Sequence, residues 1–108
     1  VESRPAREAG AQNVHVRWLI SDEDGAPNFC MRRFELAQDG STPRHSHPWE
    51  HEVYILEGEG SVLCKGSWKA FRPGDVIYIP GEEEHSFRAD RGCEVAFLCL
   101  IPKEGKQR

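Results

Sequence analysis

An all-β barrel or jelly roll is the fold this sequence predicts, and three observations predict it. Helical periodicity is absent nearly everywhere along the 108 residues. Short apolar and β-branched runs alternate with turn residues about every eight to twelve positions, the pattern of a sandwich or barrel. About eight or nine such strands would leave open edges unless the sheet closes or packs double.

The elements follow in order. Residues 1–12 are polar, contain Pro5 and Gly10, and read as a flexible arm outside the core. Residues 14–20 alternate apolar and polar and form the first strand; residues 21–27 are a turn cluster. Residues 28–36 form the next strand, with Phe29, Met31 and Arg33 on one face, and Gln38-Asp39-Gly40 turns the chain. Residues 50–57 form a strand, Glu57-Gly58-Glu59-Gly60 reads as a hairpin turn, and residues 61–65 return. Gly66 breaks the run before residues 67–71. Arg72-Pro73-Gly74-Asp75 is a turn with a mechanism, since Pro presets φ at its first central position and Gly supplies positive φ at the second. Residues 76–79 end at Pro80-Gly81, and residues 85–88 and 93–101 complete the sheet. One barrel over residues 13–102 and a loose polar tail at 103–108 account for the chain.

Composition narrows the function classes. A net charge of −4, with acids and bases mixed along the chain, offers no basic face to nucleic acid or to an anionic membrane. The longest apolar run, residues 95–101, is far too short to span a bilayer. Cys30, Cys64, Cys93 and Cys99 form no CxxC pair and read as reduced core thiols. With no signal-peptide pattern at the start, a cytoplasmic location is the expectation.

Four of the five histidines fall in a pattern that suits one metal ion. His45, His47 and His51 sit within one short stretch, and His85 follows the Pro80-Gly81 turn. Imidazole suits Zn, Cu, Fe and Ni. On a strand, residues i and i+2 share a face, so His45 and His47 can point inward together while Ser46 points out. If His51 also points in, Val53 and Ile55 join it, and Glu50 and Glu52 point away. His85 approaches from across the barrel, and Phe87 shares its face. Val53, Phe87, Phe97 and Cys99 are the expected pocket walls, although Cys99 is more readily read as a buried, inert small hydrophobe. His15 reads as ordinary surface, Glu82-Glu83-Glu84 as a solvated loop, and Trp18, Trp49 and Trp68 as core or dimer contacts, Trp49 also helping to dry the site.

These motifs resemble a known family. Gly40-Ser-Thr-Pro-Arg-His45-Ser-His47-Pro-Trp-Glu-His51-Glu-Val-Tyr-Ile-Leu-Glu-Gly58 resembles the first cupin motif, and Gly74-Asp-Val-Ile-Tyr-Ile-Pro80-Gly-Glu-Glu-Glu-His85 resembles the second. The resemblance implies a single-domain cupin jelly-roll β-barrel. Where most cupins carry a Glu ligand, spacing lands on His51; Glu52 is the rival frame. The family's Asn after the last His is Ala89 here, and a Gly of the second motif is shifted, with Gly at 81 and Glu at 82. The run His45-Ser-His47-Pro-Trp-Glu-His51-Glu and the ending residues 97–105 look more specifically like the small four-histidine manganese cupins of bacteria and archaea. That resemblance implies Mn held by His45, His47, His51 and His85, oxygen-dependent chemistry and a homodimer.

Four neutral imidazoles leave the full charge of a divalent ion uncancelled, which welcomes an anionic or chelating ligand. Octahedral coordination would leave two positions open, whereas a structural zinc site closes at four ligands. Because nitrogen-rich sites favour Cu, Zn or Ni over Mn, the sequence leaves the metal open among Mn, Fe, Ni, Cu and Zn. No dedicated general base is visible. The leading expectation is an O2-dependent oxidoreductase of dioxygenase type acting on a small organic molecule. A metal-dependent isomerase or lyase is the alternative, and a non-catalytic binding or sensing module a third.

Overall fold

Nine strands form one curled, antiparallel sheet, seen in a computed structural model that describes residues 4–5 and 12–106. The strands are β1 (Arg4–Pro5), β2 (Gln12–Ile20), β3 (Phe29–Ser41), β4 (His51–Glu57), β5 (Gly60–Cys64), β6 (Ser67–Phe71), β7 (Val76–Ile79), β8 (Ser86–Ala89) and β9 (Val95–Pro102). Their order is β6-β5-β8-β3-β9-β4-β7, with β2 on β3 and β1 on β2. The all-β class read from the sequence is what the structure shows. No helix among the described residues is long and apolar enough to cross a membrane.

Period-two burial explains why these segments are strands. In β4, His51, Val53 and Ile55 are buried while Glu52 and Tyr54 are exposed. Along β9, Val95, Phe97, Cys99 and Ile101 are buried. In β3 the inward set is Cys30, Arg32, Phe34 and Leu36, so the Phe29, Met31 and Arg33 face is the outer one. The core is aromatic in its middle: Phe97 stacks on Phe34 at 5.1 Å and on Phe87 at 4.6 Å between ring centroids.

Several local expectations are corrected. Glu57–Gly60 is not a hairpin turn, because β4 pairs with β7 and β9 whereas β5 pairs with β6 and β8. It is a corner that carries the chain across the barrel. Gly58 (φ +81°) makes it possible, for a Cβ there would lie 1.9 Å from the Glu94 carbonyl oxygen. Gln38-Asp39-Gly40 does not end a strand; Asp39 at φ 61° lies in an irregularity that β3 absorbs, with the register against β2 shifting between Gln12 and Val14. The Arg72–Asp75 turn forms as expected, with Asp75 N–H donating to the Arg72 carbonyl at 3.1 Å and Gly74 at φ +91°.

The chain ends differ too. Of the expected arm, Arg4 and Pro5 pair with Val16 and His15; residues 1–3 and 6–11 lie outside the described residues, as do 107–108 at the other end. The expected loose tail instead folds back. Lys103–Gly105 form a short 3-10 turn whose Gly105 packs on Trp49. Lys106 Nζ then reaches Asp22 and Glu23 at 2.8 and 2.9 Å. No disulfide joins the four cysteines, all of them among the described residues.

Candidate metal centre

Strand register brings the histidines together. His45 and His85 face each other across an antiparallel bridge, each N–H donating to the other's carbonyl at 3.2 and 2.9 Å. Opposed residues of such a pair project to the same side, and His47, two residues on, shares the face of His45. Ser46 between them is exposed, as alternation requires. The Gly81 turn closes over this stretch. Glu82 N–H donates to the His47 carbonyl at 2.7 Å, and a Cβ at Gly81 would lie 2.4 Å from the Pro48 carbonyl oxygen. That close approach is the reason Gly stands at 81.

The ligand atoms of His45, His47 and His85 all lie within 4.8 Å of one another, a cluster that could hold a metal ion. His51 stands beside them, its Nε2 2.9 Å from the Nε2 of His47. Glu52, the rival ligand, is exposed on the opposite face of β4, and Glu50 is exposed as well.

Hydrogen bonds orient the rings. The Nδ1 of His47 lies 3.1 Å from the Trp49 carbonyl, and that of His85 lies 2.9 Å from the Glu83 carbonyl. A carbonyl only accepts, so both Nδ1 atoms carry the proton and both Nε2 lone pairs face the cavity. His47 also stacks on Trp49, with centroids 4.1 Å apart and planes 10° from parallel. The Nδ1 of His51 meets Cys99 Sγ at 3.1 Å. Such outer contacts are what fix tautomer and aim in metal-binding histidines.

Three of the rings are poised to be neutral. Burial, reinforced by the charges of neighbouring imidazoles and Arg32, lowers the pKa of His45, takes His47 down to about 4 and takes His51 to about 2. Two ligand nitrogens at right angles on one cation, with bonds of about 2.1 Å, approach each other to about 3 Å, so the His47–His51 separation fits the group.

The rings open into a cavity of about 190 Å³. Phe87, Phe97 and Cys99 line it. Val53 does not; it is buried in the core between its sheet partners Ile77 and Cys99. Alternation gave its face but not its depth. The sequence reading missed Arg32, Phe34 and Thr42, which also line the cavity. The available signal for Arg32 was its place in the alternating set Cys30, Arg32, Phe34, Leu36, a charge on an apolar face. Thr42 braces His85's strand, its Oγ1 accepting from Phe87 N–H at 2.8 Å and its carbonyl accepting from Ser86 Oγ at 2.7 Å.

Known proteins share both sequence and shape. Residues 32–101 match the Cupin_2 family, the cupin domain, and the chain belongs to that family. It is similar to 1-methylthio-D-xylulose 5-phosphate methylsulfurylase of Rhodospirillum rubrum, 34% identical over 74 residues, covering 68% of this chain and 47% of that protein. The chain thus spans about half the length of that curated relative. L-ectoine synthase of Halomonas elongata is 32% identical over 94 residues, covering 72% of this chain and 67% of the synthase. Among solved structures, the polyketide cyclase RemF from Streptomyces resistomycificus superposes with a TM-score of 0.91 at 39% identity, covering 95% of this chain and 74% of RemF.

Proposed function

We propose that this chain is a mononuclear metal-binding cupin acting as an O2-dependent oxidoreductase of dioxygenase type on a small organic substrate. The observation that carries the reading is the convergence of the ring nitrogens of His45, His47 and His85, with that of His51 alongside. These four residues would hold one divalent transition metal, with Mn proposed on family resemblance. Bound there, the metal supplies Lewis acidity and, when redox-active, electron exchange with O2. Phe34, Phe87 and Phe97 keep the cavity floor apolar, and Trp49 shields the His47 ring from water. Among the described residues, no Asp or Glu lines the cavity, which argues against acid–base chemistry by one of those carboxylates.

A second reading is metal-dependent isomerase, lyase or cyclase chemistry without O2. The names of two relatives, a polyketide cyclase and an ectoine synthase, favour it. Oxygen uptake separates the two. Protein loaded in parallel with Mn, Fe or Zn is offered a panel of small organic acids and ketones. The oxidoreductase reading expects O2 consumption with Mn or Fe and none with Zn. Turnover with all three metals and no O2 uptake overturns it in favour of the second.

A homodimer is part of the proposal. Tyr54, its sheet partner Val76, and Tyr78 stand exposed together on the outer face of β4 and β7, at 45%, 77% and 57% exposure. A partner subunit would cover this apolar strip.

A further inference from the structure

Arg32 is a buried cation with no acid beside it among the described residues. It is only 7% exposed, sits on the inward face of β3, and lines the cavity with the histidines. Its guanidinium lies between two rings, 5.4 Å from the Trp18 centroid and 4.7 Å from that of Phe34. Nη2 reaches Cys99 Sγ at 3.3 Å. The buried Nε has no hydrogen-bond partner among the described residues. Nearby acids are engaged elsewhere: Glu35, on the same strand, binds Arg17 and Arg33, and the exposed Glu57 of β4 faces Arg33.

A guanidinium carries five N–H donors in a planar fork matched to a carboxylate. Burying that charge without an anion is costly, and a thiol sulfur is a weak acceptor. Ring faces offset only part of the cost. The arrangement is therefore incomplete as packing and complete as a receptor. Among the described residues, no carboxylate of the cavity walls competes for the fork. The cavity, about 190 Å³, is smaller than the 300–1,000 Å³ or so typical of drug-sized ligands, so the part of a ligand it encloses is small.

We propose that Arg32 is the specificity-determining residue of this cavity, binding the carboxylate of a small organic acid whose other end meets the histidine cluster. The second anchor rests on the metal-centre reading above; the Arg32 contact does not need it. Selection is by charge: the neutral amide of the same acid would leave the fork unmatched.

Calorimetric titration with lactate and with lactamide, which differ little except in charge, tests this on metal-free and on zinc-loaded protein, with metal content measured on every sample. In the metal-free wild type, lactate is expected to bind about 10-fold or more tighter than lactamide. Arg32→Met should weaken lactate by about 10-fold or more and lactamide by less than about twofold; Arg32→Lys should recover part of the loss. Equal affinities in the metal-free wild type, or no lactate binding at all, overturn the proposal. So does an Arg32→Met protein that keeps its lactate affinity. Should Arg32→Met fail to fold, the wild-type comparison and Arg32→Lys decide. Arg32-dependent lactate binding with no zinc uptake would uphold this proposal and defeat the metal-centre reading instead.

Discussion

His47 and His51 bring their Nε2 atoms to 2.9 Å of each other, and each has its Nδ1 in a further contact, with the Trp49 carbonyl and with Cys99 Sγ. With its proton held at Nδ1, His47 presents a lone pair to the ring opposite. Such a pair is stabilised by a shared cation or by one proton between the nitrogens. His51→Ala should therefore weaken Zn or Mn binding by about 100-fold or more, beyond what loss of an outer-shell contact costs. Glu52→Gln, on the solvent face, should leave affinity unchanged. Competition with a chromophoric chelator reads both.

Acid should destabilise the metal-free protein. His47 falls to about 4 and His51 to about 2, and His45 is lowered too, chiefly because burial disfavours the charged ring. In the unfolded chain each titrates near 6.5. Below that pH the unfolded state takes up protons that the folded state refuses, so stability is full above about 6.5 and declines as pH falls toward 4. Urea midpoints at pH 7.5 and 4.5 measure the loss. Replacing His47 and His51 together by Gln should flatten the profile.

Two backbone positions predict opposite outcomes. Gly58→Ala sets a Cβ 1.9 Å from the Glu94 carbonyl oxygen at φ +81° and should cost more than about 2 kcal/mol. Glu82 occupies φ 67° without being glycine. Glu82→Gly should therefore stabilise by up to about 1 kcal/mol, because relief of the left-handed conformation outweighs the added freedom of the unfolded chain. Thermal unfolding of the two variants reads both signs.

If the β4–β7 face is the dimer surface, Tyr54→Glu with Val76→Asp should convert the protein to a monomer while the barrel stays folded. Light scattering over a concentration series checks this. A wild-type chain that is monomeric at every concentration contradicts the dimer.

The histidine positions were legible because they depend on local rules. Period two sets the faces of His45, His47 and His51, and Pro80-Gly81 marks where the chain turns before His85. Non-local features were not legible. Whether Glu57–Gly60 is a hairpin or a corner depends on which strands β4 and β5 pair with, and nothing between Glu57 and Gly60 records that β8 lies beside β5. The tail reads as solvent-loving because Lys106 is charged, yet its partners Asp22 and Glu23 are distant in sequence. Arg32 was hidden by the ordinary expectation that a charged strand residue faces water. Its alternation with Cys30, Phe34 and Leu36 was the one unused signal.

Metal stoichiometry tests the central claim most directly. The wild-type chain, stripped with chelator, reloaded with Mn or Zn and freed of excess metal, should carry one ion per chain by elemental analysis. The reloaded protein should unfold at a higher temperature than the stripped one, since metal bound to the native state stabilises it by mass action. His45→Ala with His47→Ala should lose both the ion and the shift. A wild type that retains no metal, or a double variant that retains the full ion, would contradict the account.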